Sequence, residues 1–210
     1  MSRLTLFLAL FLISLACVVS PAFAAEPDSA AQTAAVRAGE RAMGATNAPV
    51  TILEFSSLTC PHCATFHTDT LAKLKEQYID TGKVRLVFSD FPLDQIALAA
   101  SKMTRCLNPM RFFPVTDMLF RNQAQWAHTS DPMKALAIYG RMAGLSQEEF
   151  DACMADKDLQ TAILKNRMEA AQKHQVKSTP TFIFNDGAKR IEGAYPVEDF
   201  TKVIDGLLPR

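Results

Sequence analysis

The sequence has no charge bias, no internal repeat and no ready means of building a structural zinc site. Lys+Arg and Asp+Glu both number 22, so the formal net charge is zero. Without an excess of basic residues, nothing in the chain calls for nucleic acid or an anionic membrane surface. A second Cys-x-x-Cys is missing, as is any closely spaced pair of histidines, which withholds the four ligands that structural zinc needs. Clusters of β-branched residues are almost absent between Pro92 and Gln175, so strands are not expected there. Low-complexity sequence is confined to residues 25–48. What remains is a chain of 210 residues with 49% hydrophobic content, able to bury a substantial core as one domain with a sizeable insertion.

The N-terminus reads as an address. Arg3 precedes an apolar run from Leu4 to Val19, and Pro21 breaks it. Ala22-Phe23-Ala24 then supplies a small-x-small cleavage pattern, with a mature start near Ala25. The run is short against the roughly 20 residues of a membrane span, so residues 1–24 are expected to be a cleaved signal peptide rather than an anchor. Cys17 fits a lipoprotein signal poorly and leaves with the peptide. Cys60, Cys63, Cys106 and Cys153 remain, an even number in a chain sent to an oxidising compartment. The mature part carries 21 basic and 22 acidic groups, a net of −1.

Residues 25–48 read as a leader or linker with a short helix around Gln32 to Arg41. Ala48-Pro49 ends it. Val50 to Phe55 is a short apolar strand interrupted only by Glu54. From Cys60 to about Asp80, Leu71, Leu74 and Tyr78 recur at helical spacing until Thr81-Gly82 stops the run. Val84 to Phe88 is a second strand, and strand–helix–strand predicts a right-handed crossover with parallel strands.

Helices then follow one another. Asp131-Pro132 caps one with Leu136, Tyr139 and Met142 on a single face, and Gly144 ends it. Ser146-Gln147-Glu148-Glu149 fits a capping box ahead of Phe150 and Cys153. A longer helix runs from about Lys157 to His174. Thr181 to Phe184, the turn Asn185-Asp186-Gly187, and Lys189 to Glu192 read as a hairpin. Pro196 to Leu208 closes the chain as a helix. Phe112, Phe113, Phe120 and Trp126 are expected in the core of the helical stretch or, for some of them, along a groove that receives clients.

Thr59-Cys60-Pro61-His62-Cys63 lies between the first strand and its helix. A thiol at that junction meets free backbone N–H groups and the positive end of the peptide dipoles, so Cys60 should ionise more readily than a free thiol. The thiolate is the attacking species in thiol–disulfide exchange. Pro61 stiffens the turn, and the His62 ring is expected to add a donor or partial positive charge at the Cys60 sulfur. Cys106 and Cys153 either form a bridge, for which loop closure gives about 4 kcal/mol, or remain two buried thiols. His67, His128 and His174 have no assignable partner. His67 follows Cys63 by one turn and is expected at the surface or in a groove, although Cys60, Cys63 and His67 could also serve as metal ligands in a protein of another class.

The residues Ala48-Pro49-Val50-Thr51-Ile52-Leu53-Glu54-Phe55-Ser56, Cys60-Pro61-His62-Cys63, Thr81-Gly82-Lys83-Val84, Phe91-Pro92-Leu93 and Ser178-Thr179-Pro180-Thr181-Phe182 together resemble the DsbA-type branch of the thioredoxin superfamily. The likeness runs from Ala48 to the C-terminus. It implies an α/β thioredoxin-like fold, with residues 49–92 and 176–210 enclosing a helical insertion at 93–175.

It also implies that a client thiolate attacks the Cys60–Cys63 disulfide at Cys60 and that Cys63 leaves. Thr179-Pro180 would be a cis peptide against the cysteines, with nearby backbone binding extended substrate as an added strand. Glu54 would be a buried carboxylate assisting proton transfer at the second cysteine, with burial raising its pKa. A second, non-catalytic disulfide joining Cys106 and Cys153 occurs in some relatives. No bound cofactor or metal is implied, since the cysteine pair carries the electrons. The implied partners are unfolded or partly folded exported proteins and a membrane quinone-linked thiol oxidase. Thr179 stands where the strongest oxidases have valine and looks more like isomerases and reductases.

Overall fold

The computed structural model describes residues 29–209; the expected signal peptide and Cys17 lie outside them. Helix α1 (Ser29–Arg37) leads into strand β1 (Arg41–Met43), and β2 (Val50–Ser56) follows. Helix α2 spans 61–79, and strand β3 is Val84–Asp90. The helical stretch comprises α3 (Gln95–Cys106), α4 (Phe112–Arg121), α5 (Gln123–Trp126), α6 (Pro132–Met142), α7 (Gln147–Ala155) and α8 (Lys157–Lys173). Strands β4 (Thr181–Phe184) and β5 (Lys189–Glu192) and helix α9 (Val197–Leu207) complete the fold.

The strands form one sheet in the order β1-β3-β2-β4-β5. β2 and β3 are parallel, with Val50 opposite Val84 and Ser56 opposite Asp90. The remaining pairs are antiparallel. The Asn185-Asp186-Gly187 turn takes positive φ at all three residues, a backbone region that asparagine, aspartate and glycine enter at least cost.

The described part of the expected leader, residues 29–48, is more than a leader. Arg41–Met43 pairs with Leu86–Phe88 and forms one edge of the sheet. At Gly44 (φ 94°) an added Cβ would stand 2.3 Å from the Val84 carbonyl oxygen, so the chain passes there only because glycine has none. Three residues are too short a run for hydrophobic alternation to show, which is why periodicity misses β1.

Helix α2 alternates α-helical Pro61–Thr65 and Leu71–Leu74 with π-helical Phe66–Thr70 and Lys75–Ile79. A π turn admits an extra residue. Phe66, Leu71, Leu74 and Ile79 therefore all stay buried against the sheet, although two of the steps between them are five residues long. Val50, Ile52, Phe182, Phe184 and Phe200 complete that layer. A second core joins Leu58, Cys60, Cys63 and Phe88 to Phe112, Leu119, Phe120 and Trp126 of the insertion. Phe113 packs at its margin. Burying each such large side chain contributes roughly 1.5–3 kcal/mol. In α6 Leu136 is buried, but Met142 is 66% exposed, because steps of three residues fall short of a 3.6-residue turn and carry position 142 off the buried face.

Candidate functional site

Cys60 occupies the N-cap of α2 in an extended conformation (φ −80°, ψ 119°), and Pro61 takes the first helical position. Proline suits that position because its missing N–H has no acceptor there in any case. Cys60 and Cys63 are both reduced and buried. The Cys60 thiol is lowered to about 5 from an ordinary 9.0. The largest cause is a hydrogen bond from the Cys63 thiol, followed by burial, which opposes the shift. The Thr179 hydroxyl and the backbone N–H groups of Cys63 and His62 add further stabilisation of the thiolate. Cys63 moves the opposite way: burial raises it most, and the hydrogen bond and charge of Cys60 raise it further. One sulfur is thus held ready to ionise and the other is kept as a thiol.

The imidazole of His62 is exposed, and His62 acts on Cys60 through its backbone N–H.

Across the site, the Thr179–Pro180 peptide is cis, and the Cys60 Sγ donates to the Thr179 carbonyl at 3.3 Å. Pro180 is buried. Its carbonyl accepts from Gly193 N–H at 2.8 Å. The Thr179 hydroxyl is buried and has no hydrogen-bond partner among the described residues. It is therefore free to turn toward a thiolate at Cys60, and this accounts for its lowering effect. The Ser56 hydroxyl is likewise without a partner, and it draws Cys63 downward against burial.

The insertion holds the loop from behind. Gln123 Nε2 donates to the Leu58 carbonyl at 2.8 Å and to the Cys60 carbonyl at 3.1 Å. Thr59 Oγ1 donates to Asp94 at 2.6 Å, and Asp94 also caps α3 through Ala97 N–H. Sequence reasoning did not single out Gln123. No sequence signal marks it, because Asn122 and Gln125 beside it are amides too and only burial sets it apart.

Glu54 is fully buried on the α2 face of β2, and its Oε1 lies 2.8 Å from His67 Nε2. His67 is 2% exposed, with its ring 4.3 Å from that of Phe120. The expectation of a surface or groove histidine is wrong. The helix turns residue 67 toward the sheet, where Glu54 offers the hydrogen bond that a buried imidazole needs. His67 Nε2 is therefore committed to Glu54, and among the described residues no three His, Cys, Asp or Glu side chains converge to hold a metal.

Cys106 and Cys153 form a disulfide that ties α3 to α7. Beside it, the buried Lys102 Nζ donates to the Met154 carbonyl at 2.6 Å, and Arg37 of α1 pairs with Asp156. Arg105 of α3 pairs with Asp90 at 2.7 Å, and its guanidinium lies 4.8 Å from the Phe112 ring centroid.

A thioredoxin family profile matches residues 37–206. A Rickettsia conorii protein named as a protein-disulfide oxidoreductase is 28% identical over 167 residues, covering 79% of this chain and 59% of that protein. The chain thus spans about three fifths of the length of that relative. A probable disulfide bond formation protein D of Bacillus cereus is 29% identical over 154 residues, 70% of each chain. Among solved structures, alpha-DsbA1 of Wolbachia pipientis superposes with a TM-score of 0.73 at 30% identity, over 80% of this chain and 90% of that one. BdbD of Bacillus subtilis, 21% identical with a TM-score of 0.71 over 80% of this chain and 92% of that one, shares the fold. A reduced Cys-Pro-His-Cys at the start of a helix, facing a cis-proline in a sheet of this order, and these likenesses agree: the chain belongs to the DsbA-type disulfide oxidoreductases of the thioredoxin family.

Proposed function

We propose that this protein is an exported thiol–disulfide oxidoreductase that passes the Cys60–Cys63 disulfide to cysteines of folding polypeptides. The observation that carries the reading is the asymmetry of the pair, with Cys60 lowered to about 5 and Cys63 raised. A client thiolate attacks Cys60 Sγ, the S–S bond breaks, and Cys63 leaves and takes a proton. A second client thiolate then attacks the client sulfur, and Cys60 leaves as a stabilised thiolate. The client loses two electrons and the protein pair gains them, so no further cofactor is needed. A leaving group held near 5 favours the reduced protein and makes the disulfide a strong oxidant.

Export rests on the signal-like residues 1–24. Among the described residues no helix is long and apolar enough to cross a membrane. A periplasmic setting and re-oxidation by a membrane quinone-linked thiol oxidase belong to the same reading, by likeness to the family. A second reading, isomerase or reductase, rests on likeness to relatives with threonine at the Thr179 position, although the donor that Thr179 lends the Cys60 thiolate works in the oxidising direction.

Equilibration of the mature protein in glutathione buffers tests the direction of transfer. A potential well above that of cytosolic thioredoxin is expected, and a thioredoxin-like value overturns the oxidase reading. Cys60→Ser should abolish exchange, and Cys63→Ser should trap client mixed disulfides.

A further inference from the structure

Helix α3 turns Gln95, Ile96, Ala99 and Lys102 toward a hollow of about 280 Å3, which Met133 of α6, Met154 of α7 and Gln160 of α8 also line. A second hollow of about 550 Å3 lies between α6 and α7, over Ala137, Ile138 and Phe150. Met133 and Met154 line both, so the two adjoin. Together they fall within the roughly 300–1,000 Å3 of small-molecule sites. Met133 is 36% and Ile138 44% exposed, which leaves apolar surface open to water at the rim.

Among the residues lining the first hollow only Lys102 is charged, and Lys102 is itself 3% exposed. Its Nζ donates to the Met154 carbonyl at 2.6 Å, which uses one of three N–H bonds. The carboxylate that acts on it, Asp156, is already paired with Arg37. Two cations therefore share one anion. Burial lowers the Lys102 pKa most; Asp156 works against the shift and Arg37 with it. A buried ammonium in that position is stabilised by a further anion. The Gln160 side-chain amide, free of hydrogen bonds among the described residues, offers another donor in the same hollow.

We propose that this hollow binds an amphipathic monocarboxylate, an anion of the fatty-acid type. Its carboxylate pairs with Lys102 Nζ and the Gln160 amide, and its chain lies along Met133, Met154 and Ile138. The surplus positive charge selects an anion, and the apolar rim selects a hydrocarbon tail. The walls are all helical, with backbone groups paired inside each helix, so a peptide laid there would find no partners for its own N–H and C=O groups. A hydrocarbon chain needs none, and unbranched methionine side chains adjust to it. No residue of this hollow belongs to the dithiol site, so the binding function stands apart from disulfide exchange.

The test titrates the mature, oxidised protein with decanoate at pH 7, below its micelle concentration, by calorimetry and by NMR of 13C-methyl methionine. One decanoate should bind per chain. The Met133 and Met154 methyl signals should move while those of Met110 and Met168 stay. Decyl glucoside, with the same chain and an uncharged head, and acetate, the head without the chain, should each bind at least about tenfold more weakly. Lys102→Met should weaken decanoate by the same factor. Gln160→Glu, at a partly exposed helical position, puts a carboxylate into the hollow in advance and should weaken it likewise. Thermal unfolding is the folding control, and Gln160→Glu decides the matter should Lys102→Met fail to fold. Absence of saturable binding, equal binding of decyl glucoside, wild-type affinity in Gln160→Glu, or methyl shifts spread over all exposed methionines overturns the proposal. So does tighter binding of acetyl-trileucine than of decanoate, which marks a peptide site.

Discussion

The Cys60 sulfur and the Thr179 carbonyl oxygen stand 3.3 Å apart although 119 residues separate them in the chain. The contact is made because β2 and β4 are adjacent antiparallel strands, which brings the loop ahead of β4 over the start of α2. Alkylation of the reduced protein should therefore single out one sulfur. At pH 7, iodoacetamide should label Cys60 and spare Cys63, with a labelling midpoint near 5. Peptide mapping after a short pulse checks this, and equal labelling of both cysteines contradicts the assigned asymmetry.

The same shift makes a statement about stability. A thiol whose folded pKa lies below its unfolded value stabilises the fold fully above about 9 and progressively less as pH falls through about 5. Cys63 is shifted upward, so its opposing effect enters only near and above pH 9. The oxidised form has neither group to ionise. Urea midpoints of the reduced protein should rise relative to those of the oxidised protein between pH 5 and 8. A constant difference across that range is the contrary result.

Gln123 offers a separate handle on the loop. Gln123→Leu keeps the volume but leaves the Leu58 carbonyl without its donor in the interior, while the Cys60 carbonyl keeps only its bond from Ala64 N–H. Stability should fall by about 1–3 kcal/mol, measured by chemical denaturation, and exchange should slow because the cap residue is less firmly held. An unchanged variant removes the insertion from the site.

Removing the second disulfide should act on stability and leave Cys60 chemistry in place. The bridge spans a separation of 47 residues, for which loop closure gives about 4 kcal/mol. Cys106→Ser with Cys153→Ser should lose a stabilisation of that order in urea, while the pH midpoint of Cys60 alkylation stays where it was. A shift in that midpoint means the insertion tunes the active sulfur through this bridge.

Particular residues show how much of this was open to inspection before the fold was known. The Val50–Phe55 strand, the Asp131 and Ser146 caps and the Asn185-Asp186-Gly187 turn are local phenomena, governed by neighbours within a few residues, and each is found where the sequence places it. Strand β1 was hidden because three residues carry no period. The π turns of α2 were hidden because spacings of five resemble no regular helix.

The histidines separate the two levels most clearly. Cys-Pro-His-Cys set the chemistry, and His62 looked like the ring that tunes it. His62 lends its peptide N–H, while His67 turns inward to meet Glu54. Which side of a helix faces the sheet, and what waits there, depends on packing over more than a hundred residues. The amino-acid order by itself determined that a dithiol caps a helix and that a threonine–proline step precedes a hairpin. Only the tertiary structure decided that Gln123, Ser56 and His67 stand around that dithiol, because burial and hydrogen-bond partnership belong to surfaces brought together by folding and not to spacing along the chain.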